Sequence, residues 1–184
     1  MTVLFPYTRL HPGGRFGLGS VAGPPLWGDI STLFGAVDAD HQQPHTGLDI
    51  AAPEGTPIES PTSGLVLDVF AIGVGEDNWE AVFGNSVIIQ YGEYVCLFAH
   101  MTAPPLVREG DRVQVGTPLG RVGSTGQSTG PHLHWGLAPV ENRYLLRDHP
   151  AGLVDLLAYI GRPGPDVERA MRLLTEAMDA LRGS

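Results

Sequence analysis

The sequence predicts a mainly β fold, a barrel-like sandwich of short strands with an irregular arm before it and helices after it. Two features of composition and one of patterning carry that expectation. Glycine (25) and proline (16) together exceed a fifth of the 184 residues, and such a turn-rich chain favours short strands over a helical bundle. Apolar residues make up 42% and charged residues 17%, enough to bury one core. Between residues 34 and 140, short runs of β-branched and aromatic residues recur, each closed by Gly, Pro, Asn or Asp.

In order, residues 1–33 are expected to form the irregular arm, because their first 30 are rich in Gly and Pro and show no clear period. Strands are expected at Ile58–Ser60, Leu65–Phe70, Ser86–Tyr91, Tyr94–Met101, Val113–Val115, Leu119–Val122 and His132–Ala138. Ala71–Gly84, with Gly73, Gly75, Asp77 and Asn78, reads as a long loop between two of them. Residues 141–184 change character and are expected to be helical. Leu153–Ile160 suits a short helix closed by Gly161. Pro165–Arg182 suits a longer one, with Pro165 in the first turn and Asp166 and Glu168 at the positive end of the dipole. Val167, Ala170, Met171, Leu174, Ala177, Met178 and Leu181 form a stripe along it, which packs on the β domain or meets a partner helix.

Charge and missing residue types exclude whole classes of function. The net charge is −9, and all 11 basic residues are arginine. A nucleic-acid partner, which needs clustered cations, is not expected. Without lysine there is no Schiff-base chemistry, no P-loop lysine and no biotinyl or lipoyl attachment site. Cys96 stands alone, which excludes an intramolecular disulfide and a cysteine-based metal cluster. No apolar run reaches the roughly 18 residues of a membrane-spanning helix, so no membrane insertion is expected. The start, MTVLFPYTRLHPGG, does not read as a signal peptide. Synthesis in the cytosol and removal of an earlier signal both fit it. The chain is expected to be monomeric.

Chemistry is concentrated in the histidines. In a strand, His132 and His134 project from one face. In an extended segment His45 and Asp49 also share a face. Two imidazoles and a carboxylate give an N/N/O donor set that leaves a fourth position open on zinc. His100 ends the run Tyr94–His100, in which Tyr94, Cys96, Phe98 and His100 alternate with Val95, Leu97 and Ala99. Isolated histidines are most often surface or hydrogen-bonded core residues, and His11, His41 and His149 are read so. Spacing alone leaves both readings open for the other four.

The wording of these segments is more specific than their spacing. His45-Thr-Gly-Leu-Asp49-Ile-Ala-Ala-Pro53-Glu-Gly55-Thr-Pro57 resembles the first zinc motif of the lysostaphin-type (LytM, M23) metallopeptidases. Gly123-Ser-Thr-Gly-Gln-Ser-Thr-Gly-Pro-His132-Leu-His134-Trp resembles the second motif and the loop entering it. Gly84-Asn-Ser-Val-Ile-Ile-Gln-Tyr-Gly, Phe98-Ala-His100-Met and Glu109-Gly-Asp-Arg-Val-Gln-Val-Gly116 match further landmarks in order. The resemblance covers about residues 34–140. It implies a groove on an antiparallel β-sheet, zinc held by His45, Asp49 and His134, and catalytic roles for His132 beside the metal and for His100. His132 would act as base, and His100 would orient water or stabilise the transition state. The implied substrate is the peptide part of bacterial peptidoglycan, with Ala71–Gly84 and Gly123–Gly130 as candidate groove walls. A phage endolysin and a processed bacterial wall enzyme suit this reading equally. Two rivals remain, a non-catalytic wall-binding or structural module and a histidine phosphocarrier. The first is opposed by the full set of ligand and catalytic residue types. The second needs neither Asp49 nor the His-x-His pair.

Overall fold

Alternating apolar residues in short runs need two-residue side-chain periodicity and close strand neighbours to be buried. A computed structural model, which describes residues 26, 28–37, 43–61, 63–72, 78–146 and 153–156, has nine strands among those residues. They are β1 (Asp29–Thr32), β2 (Gly47–Ala51), β3 (Pro57–Glu59), β4 (Gly64–Phe70), β5 (Asn85–Tyr91), β6 (Tyr94–Met101), β7 (Arg112–Val113), β8 (Pro118–Arg121) and β9 (His132–Pro139). Seven form one antiparallel sheet in the order β1-β2-β9-β6-β5-β4-β7, and β3 and β8 form a separate pair. No closed barrel forms among them. Among the described residues, no helix is long and apolar enough to cross a membrane.

Both faces of the large sheet bury apolar groups. Leu48 and Ile50, Leu133 and Trp135, Phe98 and Cys96, and Val87 and Ile89 belong to the larger cluster. Ile88, Val95, Leu97, Ala99 and Ala138 belong to the smaller one, covered by Phe83 and Leu146. Alternation therefore places Asp49, between Leu48 and Ile50, on the face of the smaller cluster. His134, between Leu133 and Trp135, and His132 lie on the same face. The register pairs Asp49 with His134 and Ala51 with His132 directly across β2 and β9.

Among the register shifts of the described strands, the one in β6 moves a site residue. Against β5, the pairing steps from Asn85–Met101 to Val87–Phe98. Three residues of β6 thus oppose two of β5, as in a β-bulge. His100 lies inside that step with φ of 62°, the only positive value at a non-glycine position among the described residues. Strict alternation would set His100 beside Phe98 and Cys96. The bulge instead puts Ala99 and His100 consecutively on the face that carries His134.

Several elements differ from expectation. Asp29–Thr32, at the end of the segment read as irregular, pairs with β2. Its Asp-Ile-Ser-Thr run is too short for a convincing period, and pairing with a buried neighbour decides its state. Ala71–Gly84 contains a six-residue helix, α1 (Asn78–Phe83), which is less than two turns and leaves no helical period in the sequence. It is anchored by Phe83, which is buried. A 3₁₀ segment follows β9 at Val140–Leu146. The helix expected at Pro165–Arg182 lies outside the described residues. Of Leu153–Ile160 only 153–156 are described, and there the Val154 N–H donates to Leu137 O at 3.0 Å.

Candidate functional site

The paired register of β2 and β9 brings Asp49 and His134 together, and His45, just before β2, joins them. His45 Nε2 lies 3.1 Å from Asp49 Oδ1 and 3.0 Å from His134 Nδ1. His134 Nδ1 lies 3.0 Å from Asp49 Oδ1. All three residues are buried. Close approach of the strands is possible because residue 47 is glycine. A Cβ there would stand 2.8 Å from the His134 ring and 2.7 Å from Trp135 O.

Backbone carbonyls fix the ring orientations. His45 Nδ1–H donates to Leu33 O at 3.1 Å. That segment is tied down by the Gly35 N–H to His45 O bond at 2.8 Å and the His45 N–H to Ala36 O bond at 2.9 Å. His45 Nε2 therefore turns toward Asp49. His134 is mounted the other way, with Nδ1 facing the cluster. Its Nε2 is buried and has no hydrogen-bond partner among the described residues. Phe83 packs over that ring, with centroids 5.4 Å apart.

Electrostatics match a cation. Burial raises the Asp49 carboxyl, but hydrogen bonds and charge from His134 and His45 outweigh it and hold it well below the usual carboxylate range. Complete burial lowers His134 against the pull of Asp49. The result is one carboxylate oxygen and two ring nitrogens converging at 3.0–3.1 Å. Such a donor set fits a divalent ion. Donors on a tetrahedral centre at about 2.0–2.1 Å stand about 3.3 Å apart, close to the spacing found here.

The other two predicted histidines flank this triangle. His132 Nδ1–H donates to Gly130 O at 2.8 Å, and Ser128 Oγ lies 3.3 Å from the same nitrogen. His132 Nε2 faces the cluster, 3.8 Å from Asp49 Oδ1. His100 Nδ1–H donates to Thr125 O at 2.7 Å. Its ring centroid lies 4.6 Å from that of His132 and 5.9 Å from that of His134. Burial, reinforced by the neighbouring imidazoles, brings the His100 pKa down to about 3. All five predicted residues line one groove of about 760 Å³.

Both expected walls contribute to that groove, through Val82 and Phe83 and through Gln127–Gly130. Ser31, Thr32, Gln43, Pro44 and Thr46 also line it, and sequence reasoning missed them. It also missed the anchors Leu33 O, Thr125 O and Gly130 O, because a backbone carbonyl leaves no residue-type signal. Gly47, two residues after His45, was the one available cue to close strand approach.

Fold and site together define a β-sheet protein with a grooved His/Asp cluster able to hold a metal ion. Comparison with known proteins gives the particular family. The description Peptidase family M23 matches residues 43–145, and the chain belongs to that metallopeptidase family. It is 40% identical over 92 residues to the DD-carboxypeptidase/endopeptidase Mpg of Neisseria meningitidis, covering 50% of this chain and 19% of that protein. It is 37% identical over 95 residues to the peptidoglycan DD-endopeptidase ShyA of Vibrio cholerae, covering 51% and 20%. The chain thus spans about a fifth of the length of these curated relatives. A mutant catalytic domain of the prophage-encoded M23 protein EnpA from Enterococcus faecalis has a similar structure. Its TM-score is 0.53 at 31% identity, covering 69% of this chain and 87% of that one.

Proposed function

We propose that this chain is a zinc-dependent endopeptidase acting on the peptide part of bacterial peptidoglycan. His45 Nε2, Asp49 Oδ1 and His134 Nδ1 hold the zinc. Bound there, zinc supplies Lewis acidity, which acidifies water toward neutral pH and polarises a scissile carbonyl. His132 is the general base. Its Nδ1–H is committed to Gly130 O, so Nε2 accepts the proton of the attacking water and returns it to the leaving amine. His45 and His134 cannot do this, because their inward nitrogens are ligands.

His100 orients the water. Its Nδ1–H is committed to Thr125 O and its pKa is down at about 3, so Nε2 is an acceptor. That favours holding a water hydrogen over donating to an oxyanion. The two relatives named as peptidoglycan DD-endopeptidase and DD-carboxypeptidase/endopeptidase support the substrate class. The proposed domain, residues 34–140, carries all five residues. Ser31 and Thr32, at the end of the proposed 1–33 arm, line the groove and are proposed to shape access; residues 141–184 are proposed as a separate C-terminal extension.

The observation that carries this reading is the convergence of three donor atoms within 3.1 Å of one another. The test incubates the zinc-loaded chain with defined cross-linked muropeptides and identifies products by mass spectrometry. Cleavage of a peptide bond, abolished by chelator and restored by zinc, is expected. Intact muropeptides in the presence of one bound zinc per chain would leave only a non-catalytic wall-binding role.

A further inference from the structure

Two of the groove's histidines, His45 and His100, are held by residues that do not line it, and one such set acts on the strained residue. We infer that Thr125, braced by Asn85, is a positioning residue that sets the ring of His100 in the groove. The inference rests on the peptidase reading above. A left-handed φ at a non-glycine residue is disfavoured and persists only where surrounding contacts over-determine it. Those contacts are specific here. Thr125 O accepts the His100 Nδ1–H at 2.7 Å. Thr125 Oγ1 donates to Met101 O, the carbonyl just after His100, at 2.8 Å. It also accepts the Asn85 N–H at 3.0 Å. Asn85 Nδ2 donates to the same Met101 O at 3.1 Å, while Asn85 Oδ1 accepts the Ile72 N–H at 2.9 Å.

Thr125 therefore holds the His100 ring through its own carbonyl and, through its hydroxyl, the carbonyl of the next residue, Met101. Gly84 makes room for it. It has φ of 63°, and a Cβ there would overlap Thr125 Oγ1. Asn85 is buried, and neither Asn85 nor Thr125 lines the groove. Both are thus removed from substrate and act through His100.

The experiment is a double-mutant cycle. Thr125→Val keeps the shape and removes the hydroxyl; Thr125→Ser restores it. With the zinc-loaded enzyme on a defined muropeptide, Thr125→Val is expected to lower kcat about 10–100-fold, as the loss of a second layer of hydrogen bonds does. Zinc content and KM should stay near wild type, and Thr125→Ser should recover most of the loss. In a His100→Ala background, Thr125→Val should cost less than about 2-fold, since coupled residues are not additive. Imidazole ¹⁵N spectra, read without substrate, should show one Nδ1–H tautomer for His100 in wild type and mixed tautomers in Thr125→Val. Asn85→Ala, which removes one donor to Met101 O, provides the same cycle should Thr125→Val not fold. Equal losses in both backgrounds, or an unchanged tautomer, would overturn the inference. A wild-type enzyme that binds zinc and cuts no muropeptide would instead sink the peptidase reading, with the spectra still deciding the position of His100.

Discussion

Along β2 and β9 every side chain keeps the two-residue alternation. Leu48, Ile50, Leu133 and Trp135 enter one core, and Asp49, His132 and His134 face the groove. At the end of β6 the alternation fails, and an extra residue with φ of 62° turns His100 into the same groove. In the regular seam, strand pairing alone sets Asp49, His132 and His134 on one face. The bulge needs tertiary hydrogen bonds to hold a conformation the backbone disfavours. The division follows the proposed chemistry: the seam supplies two of the proposed ligands and the base, His45 adds the third ligand from just before β2, and the bulge supplies the residue that orients water.

The largest expected effect breaks the seam. Asp49→Ala removes the carboxylate that the two ring nitrogens share, so zinc content by atomic absorption should fall to background and hydrolysis with it. Stoichiometric zinc in this variant would place the metal elsewhere. His132→Ala, two residues from a ligand, should keep the zinc and lower kcat by about 10²–10⁴-fold, the usual worth of a general base. Near wild-type turnover would assign the base to another group.

A pH titration compares both regions at once. His134 in the seam and His100 in the bulge are both held below the usual imidazole range by burial. Below about pH 6.5 the unfolded chain takes up protons that the folded chain refuses. Stability of the metal-free protein should therefore fall as pH drops from about 6.5, by up to about 1.4 kcal/mol per pH unit for each group. For His100 the loss continues to about pH 3. Asp49, whose carboxyl is lowered, adds a further loss only below pH 3.8. Urea midpoints measured from pH 7 to pH 4 check the slope. A flat profile would mean that neither ring is buried in its neutral form.

The same two regions explain what the sequence made legible. Strands β4, β5, β6 and β9 were readable because each is a run of seven or eight residues rich in β-branched, aromatic and other apolar types and bounded by turn residues. Asp49, His132 and His134 were readable because regular pairing translates spacing directly into a shared face. His100 was found by its resemblance to a motif, whereas alternation alone assigns it to the face of Phe98. Its true direction depends on Thr125 and Asn85, which are 25 residues and 15 residues (100 − 85) away in the chain. Strand β1 and helix α1 were too short to show a period, and tertiary contacts fix both. Leu33 acts through a carbonyl that every residue possesses, so no inspection of residue types could single it out.

The smallest expected effect is also the sharpest, because the two regions should differ in sign. At His132, in regular strand backbone, glycine should be less stable than alanine by about 0.5–1 kcal/mol, since it loses more freedom on folding. At His100 the left-handed φ penalises any Cβ, so His100→Gly should be more stable than His100→Ala by about 1 kcal/mol. Both comparisons are read from denaturant midpoints of metal-free protein, and each cancels the loss of the imidazole because both variants lack it. All four variants should be poor catalysts, so the sign is independent of activity. Should alanine prove the more stable residue at both positions, β6 would run on without its kink, and the ring of His100 would turn away from the groove toward Phe98.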